Sequence, residues 1–209
     1  MLSPLQRRVA TILRDLPEAN GFALAGGAAL IVHGQISRLT RDLDYFAVDP
    51  TSVDRLLPAF VGAARSAGLT VIEEQVAPGF ARLSVADGPQ QTGVDLAADA
   101  RLLPAEASDL GLVLAAEELA VDKVLAIFGR AEARDFVDLA AVEARFGLGH
   151  LCALASRKDA GFSRSVFASM LSRFGRLTRD EFDVDDELFG TTVEAVDRWR
   201  ATLQEEGNG

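Results

Sequence analysis

The sequence has very few of the side chains that build disulfides and zinc sites. It contains one cysteine, Cys152, and two histidines, His33 and His150, in 209 residues. A single cysteine excludes a disulfide within the chain, and the cysteine and histidine motifs that ligate structural zinc are excluded with it. Because disulfides belong to oxidising compartments, this composition favours a cytoplasmic protein.

Long apolar runs are also missing. The longest, from Phe22 to Val32, is interrupted by Gly26 and Gly27 and is too short to cross a bilayer, which takes about 20 apolar residues. The N-terminus shows no basic region followed by an apolar stretch and a cleavage site, so we expect no export signal. The sequence therefore predicts a soluble protein without a membrane partner.

An overall positive charge is the third absence. The net charge of -10 argues against a protein that coats nucleic acid, because phosphate neutralisation requires lysines and arginines. Between residues 157 and 179, however, basic residues dominate and Asp159 is the one acid. The basic residues there are Arg157, Lys158, Arg164, Arg173, Arg176 and Arg179. This segment is either a local RNA-binding face or a set of solvated helix faces.

What remains is the composition of a globular protein with a substantial core. Hydrophobic residues make up 49% of the chain, and its length fits one large domain or two small ones. Periodicity predicts a first lobe over 1–104 with strands and helices, and a helical second lobe over 105–209. The predicted fold class is α+β.

Local signals place the elements within these lobes. Ser3, Pro4 and Gln6 form a predicted helix start, and Asn20 with Gly21 marks the predicted end of that helix. The predicted strands are 22–25, a segment that carries Asp42 and Asp44, 69–76, 80–86 and 92–97. The other predicted helices are 27–35, 52–67, 115–128, 132–146, 148–158, 163–174 and 190–204.

Two short motifs in the first lobe carry the most chemical information. Gly26 and Gly27 follow a predicted strand, where glycine lets the backbone approach a phosphate and can open a helix whose amides face an anion. Asp42 and Asp44 lie two apart on a predicted strand, so both side chains point to the same face. Each motif alone is weak evidence, but their order and separation are much more specific together.

The two aspartates predict a divalent cation. Adjacent carboxylates repel each other unless a positive charge lies between them, and Mg²⁺ usually couples one or two carboxylates to substrate phosphates. A phosphate cradle just upstream of two carboxylates is what nucleotidyl transfer needs. Mn²⁺ is the alternative ion.

A second group of charges lies in the helical lobe. Lys123 precedes a helix break at Gly129 by nearly two turns, and Asp138 follows it by roughly two turns, so the two can face one another in an antiparallel hairpin. They either bind and orient a nucleotide triphosphate or belong to a salt-bridged hairpin with its charges on solvated faces. Such surface pairs contribute about 0 to 1 kcal/mol. Spacing alone favours the hairpin, whose charges are Asp122, Lys123, Asp135 and Asp138.

Together these residues resemble the nucleotidyltransferase superfamily that shares its fold with DNA polymerase beta, and within it the AbiEii/MenT-type toxins of bacterial toxin–antitoxin systems. The matching positions are Gly26, Gly27, the run Arg38-x-Thr40-x-Asp42-x-Asp44, Lys123 and Arg134-Asp135-x-x-Asp138. The likeness spans residues from about 20 to 145. It implies a nucleotidyltransferase lobe, with a mixed β-sheet flanked by helices, and a helical lobe that contributes Lys123 and Asp138.

The resemblance also implies a reaction and roles. It implies transfer of nucleotides from NTP to an RNA acceptor, with the tRNA 3′ end as the expected one, growth inhibition through blocked translation, and a cognate antitoxin. The implied catalytic residues are Asp42, Asp44, Lys123 and Asp138. The implied nucleotide-binding residues are Gly26, Gly27, Arg38 and Lys123. The implied metal ligands are Asp42, Asp44 and, as a third carboxylate, Asp95.

Several alternatives stay open at this stage. Asp95 either completes the metal site or is a strand-end residue that faces solvent or caps a loop. Arg38 either binds phosphate or offsets the local negative charge. The acceptor is alternatively a small molecule such as an aminoglycoside, or a protein hydroxyl, because the acceptor groove cannot be read from sequence. A non-catalytic nucleotide-binding or partner-binding module is the rival from another class.

Overall fold

The protein folds into two compact units, the first over Met1–Ala115 and the second beginning at Ala116. The structure, a computed structural model, describes residues 1–207, and side-chain exposure for residues 1–204. The first unit combines a sheet with helices and the second is helical, so the α+β prediction is confirmed. Within the described residues, no helix combines the length and apolar character that a membrane crossing requires.

The first unit is built on one mixed sheet of seven strands. Its helices are α1 (Pro4–Arg14), α2 (Gly26–Val32) and α3 (Thr51–Ser66). Its strands are β1 (Ala23–Ala25), β2 (Asp42–Ala47), β3 (Thr70–Ala77), β4 (Phe80–Asp87), β5 (Gln90–Ala98), β6 (Glu106–Ser108) and β7 (Gly111–Val113). The strand order is β3-β4-β5-β2-β1-β7-β6. The pairs β2–β5 and β1–β7 are parallel and the other pairs are antiparallel.

Strict alternation along β2 positions the candidate acids. Leu43, Tyr45 and Ala47 are buried, whereas Asp42 and Asp44 are only partly covered. Since successive strand side chains point to opposite faces, one face of β2 anchors the core and the other presents both carboxylates. The hydrophobic pattern thus fixes the face on which the acids lie.

The first helix begins as predicted and ends early. Ser3 and Gln6 form the capping box at its start. The helix ends at Arg14 rather than at Asn20, so the predicted end is wrong. Pro17 explains the difference, because proline disfavours helical backbone in the residue before it and has no amide hydrogen. A short 3₁₀ turn, Pro17–Ala19, follows instead.

The hairpin of β6 and β7 was missed by the sequence analysis. Three-residue strands carry too little alternation to be distinguished from loops. Val113 of β7 pairs with Leu24 of β1, which adds the hairpin to the sheet. The division between the units therefore falls after Ala115 rather than near residue 105.

The second unit consists of five helices and two 3₁₀ turns within the described residues. The helices are α4 (Ala116–Gly129), α5 (Ala133–Phe146), α6 (Leu148–Lys158), α7 (Arg164–Leu171) and α8 (Asp186–Gly207). The helix predicted over 163–174 ends at Leu171 and continues as a 3₁₀ turn, Ser172–Arg176. Aromatic rings of Phe174, Phe182 and Phe189 contact one another beside it, with centroids 5.0 to 6.3 Å apart.

Candidate active site

Three carboxylates share one face of the sheet in the first unit. Asp42 and Asp44 lie on the same face of β2, as predicted. In the parallel pairing of β2 with β5, Asp44 is opposite Asp95 and Asp42 is opposite Gly93. Paired residues of neighbouring strands point to the same side, so Asp95 lies beside Asp44. A Cβ at Gly93 would meet Asp42 Oδ1 at 2.4 Å, so the glycine leaves the space that this carboxylate occupies.

The predicted glycine turn lies against the same acids. Gly26 has φ of +58°, and a Cβ there would lie 1.9 Å from Asp44 Oδ2. A Cβ at Gly27 would lie 2.9 Å from Arg38 Nη2. Both distances are below ordinary van der Waals contact, so the two glycines admit the Asp44 carboxylate and the Arg38 guanidinium to the backbone. The structure thus brings together Gly26, Gly27, Arg38 and Asp44.

Replacing Gly26 by alanine is expected to damage the site more than the fold. The left-handed backbone adds roughly 1 kcal/mol of strain for alanine. The Cβ would also displace the Asp44 carboxylate, and a misplacement of about 1 Å can lower catalysis about 100-fold. Nucleotidyl transfer and thermal unfolding measured side by side would show the difference.

Gly62→Ala is the matched control. Gly62 lies inside the helical backbone of α3, where an added Cβ would meet no packed neighbour within 4 Å. Alanine stabilises a helix interior relative to glycine by about 0.5 to 1 kcal/mol. Full transfer activity in Gly26→Ala would contradict the placement of this turn in the site.

Asp95 forms an ion pair with an arginine that was not predicted from the sequence. Arg82 of β4 donates from Nε to Asp95 Oδ1 at 2.9 Å and from Nη2 to Asp95 Oδ2 at 2.6 Å. The hydrogen bonds that Arg82 donates to Asp95 raise the pKa of Arg82, and the charges of Asp95, Asp42 and Glu74 raise it further. Only the register of β4 against β5 reveals this pair, because the two residues lie on different strands. Asp95 as a third metal ligand stays a prediction.

The candidate charges of the second unit form a buried cluster. Lys123 Nζ lies 2.8 Å from Asp138 Oδ2 and 3.5 Å from Asp135 Oδ1. The Lys123 side chain is 8% exposed and both aspartates are fully buried. Lys123 and Asp138 therefore face one another as predicted. The alternative that places these charges on solvated helix faces is wrong, because α4 and α5 pack their charged sides together.

Arg130 completes this cluster from the end of α4. Its Nε and Nη2 atoms donate to the two oxygens of Asp135 at 2.9 and 3.0 Å. The backbone N–H of Glu132 also donates to Asp135, at 3.3 Å. The fourth residue of the predicted group, Asp122, pairs instead with Lys158. Lys158 also binds the buried Glu118 at 2.8 Å.

The environment of Asp135 makes stability depend on pH. Burial alone would raise the pKa of this carboxyl, but hydrogen bonds from Arg130 and the charges of Lys123, Arg130 and Arg134 lower it below the ordinary 3.8. A carboxyl with a lowered pKa in the folded state stabilises the protein above its unfolded pKa. We expect the unfolding free energy to decrease as the pH falls from near 3.8 through the folded-state pKa.

Acid denaturation followed by circular dichroism would test this pH dependence. Asp135→Asn removes the titrating group, so its unfolding free energy is expected to depend less steeply on pH in that range. Asp54→Asn, on the exposed first turn of α3, is the control and should keep the wild-type slope. An unchanged slope in Asp135→Asn would show that other carboxyls account for the acid sensitivity.

The basic segment over 157–179 contributes fewer surface charges than its sequence indicates. Lys158 is bound by Glu118 and Asp122 and its side chain is 3% exposed. Arg179 pairs with Asp186 at 2.9 Å and stacks on Phe189. The exposed basic residues of the segment are Arg157, Arg164, Arg173 and Arg176.

Comparison with known proteins identifies the family to which this arrangement belongs. A family model described as nucleotidyl transferase AbiEii toxin, type IV toxin–antitoxin system, matches residues 9–205. The chain belongs to the AbiEii family. As an AbiEii protein it is a nucleotidyltransferase toxin of a type IV toxin–antitoxin system, and membership implies use of NTP and an antitoxin partner. Comparison with curated protein sequences gives no match.

Solved structures share the fold of this AbiEii protein. MenT4, a nucleotidyltransferase toxin from Mycobacterium tuberculosis, is 20% identical, with a TM-score of 0.61 over 95% of this chain and 91% of its own. JHP933 from Helicobacter pylori is 20% identical, with a TM-score of 0.54 over 100% of this chain and 97% of its own. At this level of identity the likeness supports the fold, including the nucleotidyltransferase lobe predicted from the sequence.

Proposed function

We propose that this AbiEii protein is a Mg²⁺-dependent enzyme that transfers nucleotides from NTP to RNA, with the tRNA 3′ end as acceptor, and so blocks translation. One observation carries the catalytic part of the proposal. Asp42 and Asp44 share one face of β2, and the turn at Gly26 lies directly against the Asp44 carboxylate. Carboxylates beside a glycine turn suit an enzyme that must hold a cation and phosphates together.

The residues present fit Mg²⁺, the ion that the fold family implies. Gly26 and Gly93 leave space that the carboxylates of Asp44 and Asp42 occupy, so both groups offer hard oxygen donors on the same side of the sheet. Among the described residues no group of three histidine, cysteine, aspartate or glutamate side chains is arranged to hold a metal ion. That agrees with Mg²⁺, which is usually bound by one or two carboxylates together with substrate phosphates. When bound, Mg²⁺ neutralises phosphate charge and polarises the α-phosphorus.

The chain's own residues would hold the donor nucleotide. Gly26 and Gly27 allow the backbone to approach phosphate, and the Arg38 guanidinium beside Gly27 can bind it. Lys123 is proposed to neutralise the triphosphate and Asp138 to orient Lys123. The support for these two roles is burial, since the Lys123–Asp138 pair is almost completely removed from water and the free energy of desolvating two charges makes such a pair weak evidence for a purely stabilising role.

The reaction needs little covalent chemistry from the protein. The acceptor hydroxyl oxygen forms a bond to the α-phosphorus, the bond from that phosphorus to the β-phosphate oxygen breaks, and pyrophosphate leaves while the hydroxyl releases its proton. Positioning and charge stabilisation supply most of the acceleration in such reactions. RNA as acceptor is supported by the exposed arginines Arg157, Arg164, Arg173 and Arg176, since phosphate contacts by arginine provide RNA affinity.

One assay tests donor, ion and acceptor together. The full chain is incubated with each of the four α-labelled NTPs and total RNA, with Mg²⁺, with Mn²⁺ or with a chelator. We expect Mg²⁺-dependent label in the tRNA band, which disappears when the tRNA 3′ end has been oxidised with periodate. Label that survives oxidation would move the acceptor away from the 3′ end.

Parallel reactions address the other acceptors. Aminoglycosides or a cell extract freed of RNA replace the RNA in two further arms, and label in either arm would favour a small-molecule or protein hydroxyl. Nucleotide binding without pyrophosphate release in any arm would favour a non-catalytic module. Translation in a cell-free system, supplied with treated and untreated tRNA, shows whether the modified tRNA is inactive.

A further inference from the structure

Arg82 forms an ion pair with Asp95, the third carboxylate on this face, and so limits the ability of Asp95 to bind a metal ion. Arg82, Asp95 and Asp44 are successive members of one row across β4, β5 and β2. Neighbouring strands lie about 4.8 Å apart, so the Arg82 side chain reaches along the face on which the three carboxylates lie. Both Asp95 oxygens accept from Arg82, at 2.9 and 2.6 Å.

Arg82 also contacts an aromatic ring of its own strand. Its guanidinium carbon lies 5.6 Å from the centre of the Phe80 ring, on the same strand face. Bidentate arginine–carboxylate pairs combine two charge-assisted hydrogen bonds with fixed geometry. The side chain of Asp95 is 17% exposed and that of Arg82 is 50% exposed, so the pair is partly screened from water on the carboxylate side.

We infer that Arg82 acts as a built-in cation of the site, so that Asp95 binds Arg82 instead of a second divalent ion and the protein takes one divalent ion. This inference rests on the proposed function only in taking Asp42 and Asp44 as ligands of that ion. Three carboxylates on one face carry three negative charges. The guanidinium engages both oxygens of Asp95, which leaves Asp42 and Asp44 as the carboxylates proposed to ligate the ion.

Counting bound Mn²⁺ by electron paramagnetic resonance tests the inference without catalysis. Mn²⁺ alone is titrated into the full chain, and the loss of the free-ion signal gives the number bound. We expect one Mn²⁺ per chain in the wild type and two in Arg82→Met, which keeps the length of the side chain while exposing Asp95 to a second ion. An Arg82→Met protein that gains no Mn²⁺ overturns the inference.

The double variant Arg82→Met/Asp95→Asn removes one positive and one negative charge and so keeps the net charge of the site. If Asp95 serves only Arg82, this protein binds one Mn²⁺ with an affinity within threefold of wild type. If Asp95 ligates the ion in the wild type, the affinity falls by more than threefold, which would also overturn the inference.

Two controls separate this result from the fate of the proposed function. Arg8→Met removes another arginine–aspartate pair, Arg8 with Asp87 at 2.6 Å, and is expected to leave the count at one. Asp44→Asn is expected to lose the Mn²⁺ that the wild type binds. An Asp44→Asn protein that keeps the wild-type count of bound Mn²⁺ would contradict the metal site of the proposed function. The Arg82 variants test only whether Arg82 keeps a second ion from Asp95.

Discussion

Asp44→Ala is expected to lose nucleotidyl transfer by a factor on the order of 10³ while the protein stays folded, because it removes a carboxylate proposed to hold the Mg²⁺ ion that neutralises the phosphates. The Asp44 side chain is partly exposed and its Oδ2 occupies the space beside Gly26. Alanine therefore fits without overlap. Single-turnover transfer of α-labelled NTP to tRNA measures the loss, and circular dichroism confirms the fold.

Asp54→Ala is the control for removal of an aspartate from the same unit. Asp54 is exposed in the first turn of α3, where a negative charge stabilises the helix by about 0.3 to 1 kcal/mol. Its loss should leave transfer unchanged. Equal label transfer by wild type and Asp44→Ala would remove Asp44 from the mechanism and, with it, the main support for the role of the Gly26 turn.

The positions of the candidate acids Asp42 and Asp44 were predictable because they depend on local pattern. Leu43 and Tyr45 alternate with Asp42 and Asp44, so a buried strand face dictates that the two acids share the opposite face. The same reasoning placed Lys123 opposite Asp138, since helical spacing and a break at Gly129 are enough to pair them. In both cases the regular spacing of residues along a strand or a helix decides which side chains share a face.

The partners of those residues were not predictable in the same way. Arg82 meets Asp95 through the β4–β5 register, and Gly93 faces Asp42 through the β2–β5 register. Neither register can be predicted from the sequence of a single strand. A shift of one residue would turn each side chain to the other face of the sheet. The burial of Asp135 was missed for a related reason, because charge at helical spacing normally indicates a solvated face.

The same contrast holds for the secondary structure, in which elements with local sequence signals were predictable and elements that depend on tertiary contacts were not. Helix starts with strong capping signals, such as Ser3 with Gln6, were placed correctly. The hairpin of β6 and β7 was missed because its strands are three residues long and gain their stability by pairing with β1. The basic segment over 157–179 was overcounted, because burial of Lys158 against Glu118 depends on the packing of α6 against α4.

Lys123→Met is expected to reduce both stability and activity. Removing one partner of a buried ionic cluster typically lowers the unfolding free energy by about 3 to 5 kcal/mol, since the remaining buried charges lose compensation. Asp138 lies 2.8 Å from the lysine and loses the shorter of the two ion pairs that Lys123 makes with these aspartates. Asp135 keeps two hydrogen bonds from Arg130. Urea denaturation measures the stability, and transfer is assayed where each variant is folded.

A second substitution separates the structural role of Lys123 from the proposed catalytic one. Replacing a buried pair by residues of similar shape is often close to neutral, so Lys123→Met/Asp138→Asn should recover much of the lost stability. If Lys123 acts on the nucleotide, this double variant regains stability but not nucleotidyl transfer. Lys158→Met is the matched control, because Lys158 is also buried against a fully buried carboxylate, Glu118. Lys158→Met should lose a comparable amount of unfolding free energy and keep its transfer activity when folded. Recovery of transfer in Lys123→Met/Asp138→Asn would show that Lys123 has only a structural role.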